Sequence, residues 1–233
     1  MTKINRDYIY IDEWYDLNKV ILEPKSLYIY AHDPEDRSVF CAQELARHNL
    51  QTEFIEIVFN NANDTISIVN KENLIISLHS INQINSLLSP YKDYIIYIEV
   101  TGLSCRVAAP LMKYAMERSI EMRIVYAEPS IYKLEEFRKI GIHKDLCETV
   151  EGINPLPGLS NLLPHSESPL FVVLLGFEGG RFSFIIQDQN PDRDKIIPVL
   201  GVPGYKLDYP YIAMWGNRNQ IKITIAPHCN VWI

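Results

Sequence analysis

Basic residues are in the minority in this 233-residue chain: 22 Lys and Arg stand against 29 Asp and Glu, a formal net charge of −7. A broad nucleic-acid surface needs clustered Lys and Arg to displace counterions, so this balance excludes an extended one and leaves room only for a local basic pocket. Long apolar runs are also missing. The longest, Leu170 to Phe177, falls far short of the about 20 residues a membrane-spanning helix requires. The opening Met1-Thr-Lys-Ile-Asn-Arg-Asp-Tyr8 has no apolar h-region of the kind a signal peptide carries. The expectation is a soluble, cytoplasmic protein with no membrane partner. Cysteine is scarce: Cys41, Cys105, Cys147 and Cys229 form no C-x-x-C pair and have no histidine at metal spacing. They read as reduced thiols, and no metal site is expected. A nucleophile elbow, an H-E-x-x-H pair, a P-loop and a kinase signature are all absent, so no familiar catalytic motif names a reaction or a cofactor.

What is present is a globular composition, 47% hydrophobic and 22% charged, in a chain long enough for one large α/β domain or two small ones. Residues 1–25 read as an N-terminal arm, closed by Glu23-Pro24-Lys25. From Ser26 onward, strands alternate with helical patterns. Leu27 to Tyr30 is followed by a helix capped near Ser38, and Thr52 to Phe59 by the turn cluster Asn60 to Asp64. Leu74 to Leu78 precedes a helix through Ile81, Ile84, Leu87 and Leu88. Tyr94 to Val100 is the near-continuous apolar run of a strand covered on both faces. Pro110 suggests a helix beginning near that residue, since proline is welcome at a helix's first position and costly inside. Met122 to Ala127 returns as a strand. This alternation predicts an α/β, Rossmann-like, doubly wound and mainly parallel sheet flanked by helices, with residues 26–140 as its first half. Residues 141–169 form a long irregular connection, and residues 170–233 a second half expected to complete the same sheet. Within it, Arg181 to Asp188 reads as a helix, Lys195 to Leu200 as a strand, and Gln220 to Ile225 alternates like an edge strand.

Two loops carry the candidate chemistry. In the first, Glu99-Val-Thr-Gly-Leu-Ser-Cys-Arg106, Thr101 and Ser104 offer hydroxyls, Gly102 permits close backbone approach, and Arg106 has the fork geometry for phosphate or carboxylate. The loop reads either as a phosphate cradle beneath a helix amino terminus or as a turn whose Arg106 pairs with Glu99 or Glu128. The second, Gly176-Phe-Glu-Gly-Gly-Arg181, places Gly176, Glu178, Gly179, Gly180 and Arg181 between a strand and a helix. Such glycine density fits a backbone that must meet a ligand or another backbone. Both loops lie at expected carboxyl ends of strands, where open α/β sheets bind ligands, and the expectation is one shared electropositive hollow. Tyr132 and Tyr205, in turns on the same edge, would pack a base or cover the sheet.

Ile98-Glu-Val-Thr-Gly-Leu-Ser-Cys-Arg106, followed by a helix and Val125-Tyr-Ala-Glu128, resembles the CRISPR-associated Rossmann-fold sensor (CARF) domains. The likeness spans residues 27 to 130, with Leu103 in place of the usual second glycine and Cys105 or Arg106 in place of the usual lysine. It implies a cyclic-oligoadenylate ligand at a dimer interface, with Thr101, Gly102, Ser104 and Arg106 in the ligand loop. The leading functional expectation, drawn from the two loops, is a sensor or regulator that binds a phosphate-bearing small molecule, a nucleotide, with a homodimer or a partner protein as the expected association. Two alternatives stand beside it. One is a nucleoside or nucleotide hydrolase or transferase using Asp33, Glu99, Glu128 or Glu178. The other is an interaction subunit that meets a partner protein through tyrosines and the 141–169 segment.

Overall fold

The computed structural model describes residues 12–32, 36–69, 74–129, 155–160, 169–202 and 206–224. Two compact units divide the chain: residues 1–129 with 156–160, and residues 130–155 with 161–233.

The first unit is built on a six-stranded sheet. Its strands are β1 (Ser26–Ala31), β2 (Thr52–Asn60), β3 (Thr65–Ile68), β4 (Ile75–Ser77), β5 (Ile95–Glu99) and β6 (Met122–Val125), in the order β4-β3-β2-β1-β5-β6. The pairs β1–β2, β1–β5 and β5–β6 are parallel, whereas β2–β3 and β3–β4 are antiparallel. Helix α1 (Arg37–Ala46) links β1 to β2, α2 (Ile81–Leu88) leads toward β5, and α3 (Cys105–Glu117) links β5 to β6. This is the α/β, mainly parallel, Rossmann-like architecture that the alternation predicts.

Period-two alternation along β1 and β5 sends side chains to two separate cores, which is why these strands are apolar almost throughout. Leu27, Ile29, Ile96 and Ile98 pack on one face with Leu87 and Leu88 of α2 and Val107, Leu111 and Ala115 of α3. Tyr28 and Tyr97 pack on the other with Cys41, Ala42 and Leu45 of α1. The described part of the N-terminal arm lies over this second core: Trp14, Leu17 and Val20 rest against it and Leu22 is buried in it. Burial pushes the Tyr97 hydroxyl up to about 12, and its proton is donated to Glu23 at 2.6 Å.

Pro110 stands inside α3 rather than at its start. Buried in the middle of the helix, it leaves the Arg106 carbonyl without the usual fourth-residue amide. The loop before α3 is accordingly shorter than the proline suggested.

The second unit holds β7 (Phe171–Leu174), α4 (Gly179–Gln189), β8 (Ile196–Val199), α5 (Tyr209–Gly216) and α6 (Arg218–Thr224). Strands β7 and β8 pair in parallel as a two-stranded sheet of their own, so among the described residues the 170–233 segment does not extend the first sheet. The expected edge strand Gln220 to Ile225 is helical through Thr224. Its start is anchored by Asn217, almost fully buried, whose side-chain amide donates to the carbonyls of Gly176 and Ala213 at 2.8 Å each. The Gln220 side chain donates to the Ser183 hydroxyl of α4. Tertiary anchoring of this kind overrides the alternating pattern.

Candidate functional site

The carboxyl ends of the parallel strands in the first unit share one rim. β1 runs out toward α1, β5 toward α3, and β6 toward Tyr126–Pro129. Two reversals through β3 make β4 parallel to β2, so the turn 61–64 and the residues after Ser77 reach the same rim. The direction of winding changes between β1 and β5, the point at which such sheets offer a crevice.

At that point the loop is tied to its own fold. The carboxylate of Glu99, fully buried, accepts the amides of Thr101 at 2.9 Å and Gly102 at 3.1 Å. The Thr101 hydroxyl accepts the Ala127 amide at 2.8 Å, and the Ala127 carbonyl takes a 2.8 Å bond from Arg37. A Cβ at Gly102 would stand 2.1 Å from the Ala31 carbonyl and 2.8 Å from the Ser38 hydroxyl. The glycine thus serves a close approach of two backbones, and Ser38 in turn donates to that Ala31 carbonyl at 3.0 Å. Ser104 caps α3 by backbone alone, exposed, with no side-chain bond to the helix. Of the four expected ligand-loop residues, Thr101 and Gly102 have a structural task, and Ser104 and Arg106 remain at the rim.

Arg106 does not pair with Glu99 or Glu128. Its guanidinium grips Asp64, with Nε donating to Oδ1 at 2.9 Å and Nη2 to Oδ1 at 2.6 Å and Oδ2 at 2.5 Å. The imidazole Nε2 of His79 sits 2.9 Å from Asp64 Oδ2. Arg106 first, and His79 after it, hold the Asp64 carboxyl below its ordinary value. Asp64 sits at the end of the 61–64 turn with φ +49°, in the left-handed region where aspartate is among the better-tolerated side chains. In the sequence Asn60 to Asp64 is only a turn cluster, with nothing local to link it to His79. The convergence depends on the β2–β3–β4 reversals, which no local motif announces.

Beside this cluster lies a cavity of about 150 Å³ between the start of α2 and the middle of α3. Leu78, His79, Ile81, Ile84, Pro110 and Lys113 line it, together with Glu117, Pro157 and Gly158. Lys113 Nζ donates to the Gly158 carbonyl at 2.6 Å and lies 3.6 Å from Glu117. Arg106, Pro110, Lys113 and Glu117 recur at helical spacing, so one stripe of α3 carries both the Asp64 contact and the cavity wall.

The second loop belongs to the other unit. A Cβ at Gly179 would fall 2.1 Å from the Gly216 carbonyl, so the glycine there admits another backbone. A Cβ at Gly176 would meet nothing within 4 Å. Gly180 is half-buried in the first turn of α4, and Arg181, largely exposed, donates through Nε to Glu178 at 3.2 Å. Asp33, Tyr132 and Tyr205 lie outside the described residues. Among the expected catalytic carboxylates, Glu99 is committed to its loop, Glu128 is exposed on the rim, and Glu178 stands in the second unit. No cluster of His, Cys, Asp and Glu among the described residues is arranged to hold a metal ion, and no described helix is long and apolar enough to cross a membrane. No protein-family model, curated protein or solved structure matches the chain.

Proposed function

We propose that the protein binds a phosphate-bearing small molecule, a nucleotide, at the carboxyl rim of its six-stranded sheet, in a sensing or regulatory role. The observation that carries this reading is Arg106. Its guanidinium stands in the first turn of α3, about one-fifth exposed, on a rim where parallel strands end and the winding reverses. His79 on the same rim adds a second donor. The loop's likeness to CARF sensor domains points in the same direction. Sensing is favoured over catalysis because a hydrolase or transferase needs two carboxylates to converge on one ligand atom, and Glu99 is already occupied by two amides.

A panel of nucleotides screened by thermal denaturation tests the reading, since a ligand that binds only the folded state raises its midpoint. At least one nucleotide is expected to raise the melting temperature, and Arg106→Ala to remove that rise while leaving the unliganded protein folded. A flat response across mono-, di-, tri- and cyclic nucleotides would overturn it.

A second reading, an interaction subunit, draws on the second unit. Val172 and Leu174 of β7 lie opposite Ile197 and Val199 of β8, and all four are exposed, Leu174 to 78%. Contiguous apolar surface of this kind marks contact with another protein. The expectation under this reading is a concentration-dependent rise in mass by light scattering, abolished in a Val172→Lys, Leu174→Glu double variant.

A further inference from the structure

We infer that the Asp64 carboxylate keeps the place of the ligand's phosphate, and that this phosphate binds between Arg106 and His79 with an attached compact ring in the cavity between α2 and α3. The inference rests on the nucleotide-binding reading and gives its site a position and a chemistry that the 101–106 loop alone does not.

The donors point to it. Two side chains from separate elements, Arg106 of α3 and His79 after β4, converge on a single carboxylate: Arg106 reaches both oxygens and His79 approaches Oδ2 at 2.9 Å. Three donor atoms, Nε and Nη2 of Arg106 and Nε2 of His79, within hydrogen-bond distance of two anionic oxygens make a geometry that a phosphate's oxygens satisfy equally well. Asp64 closes the turn 61–64, whose residues 61–63 are exposed, and is held at φ +49° immediately before β3. Arg106 is in the first turn of a 13-residue helix packed on the core, and His79 immediately precedes Ser80, whose hydroxyl caps α2 through the Gln83 amide.

The cavity supplies the second half. His79 belongs both to the Asp64 cluster and to the cavity lining, so the two spaces adjoin. Leu78, Ile81, Ile84 and Pro110 give part of the lining an apolar character, and its volume of about 150 Å³ suits a single ring. Lys113 stands in the lining near Glu117, so a cation is present along the same stripe of α3. With Asp64 swung away, two basic side chains of the lining, His79 and Lys113, stand beside one described carboxylate, Glu117, a balance that favours an anion.

Isothermal titration of the full chain with inorganic phosphate, phenyl phosphate and adenosine 5′-monophosphate tests the inference. Asp64→Asn and Asp64→Gly remove the carboxylate with residues that tolerate positive φ, so at least one of them should fold as the wild type does. Each is expected to bind phenyl phosphate about 10-fold more tightly than the wild type, and adding Arg106→Ala to either is expected to abolish binding. Ile84→Trp, which fills the cavity, should remove the preference for phenyl phosphate over inorganic phosphate. If the wild type binds nucleotide through Arg106 but neither Asp64 variant gains affinity, the placeholder role is overturned and the nucleotide reading survives. If no variant binds any of the three probes, both fall.

Discussion

Asn49, buried just beyond α1, donates its side-chain amide to the carbonyls of Val20 and Leu45 and accepts the Leu22 amide on its oxygen at 2.7 Å. One side chain thereby fixes the N-terminal arm to the core. Asn49→Ala leaves these groups unmatched, and each buried group without a partner costs about 1–3 kcal/mol. Urea unfolding is expected to show a loss of about 2–3 kcal/mol, and a change within about 0.5 kcal/mol would place Asn49 among indifferent surface positions. Asp64 leads to a pH dependence of defined sign. Its carboxyl is held below its ordinary value of 3.8 in the folded state, chiefly by Arg106. The stabilisation is therefore complete above that value and disappears as pH falls through the lower folded one. Wild type and Asp64→Asn should differ in melting temperature by a constant amount near neutrality, and the gap should close in acid below 3.8. A gap that widened in acid would reverse the assignment.

At the scale of elements, the two glycine loops have one explanation applied twice. Gly102 admits the Ala31 carbonyl and Gly179 admits the Gly216 carbonyl, each at a distance that forbids a Cβ. Gly179→Ala is expected to destabilise the second unit by about 1–3 kcal/mol, the range for overpacking. Gly176→Ala, with open space around it, serves as the control and should change little. Thermal denaturation of the two variants side by side decides the matter, and equal effects would contradict the packing role. The pattern of glycines was legible in the sequence as a demand for close approach, but not whether ligand or backbone would be the neighbour. That choice is made by tertiary contact. The same limit explains Pro110, whose local preference for a helix start yields to burial in the middle of α3, and Gln220 to Thr224, whose alternation yields to anchoring by Asn217.

At the scale of the molecule, the alternation of strands and helices foretold the mainly parallel sheet and its two covered faces, because β1 and β5 are apolar at both phases of the period-two pattern. It did not foretell that β7 and β8 pair with each other, since strand patterns carry burial and not partnership. Of the candidate site, Arg106 was legible from its place after β5, while Asp64 and His79, 42 residues and 27 residues away in sequence, meet it only through the β2–β3–β4 reversals. The account stands or falls on Arg106 as the anchor of an anionic ligand. Isothermal titration of wild type, Arg106→Ala and Arg181→Ala with the nucleotide that most raises the melting temperature is the direct test. The expected result is saturable binding by wild type and Arg181→Ala, with at least a 10-fold loss in Arg106→Ala, the equivalent of about 1.4 kcal/mol. Undiminished binding by Arg106→Ala would contradict it.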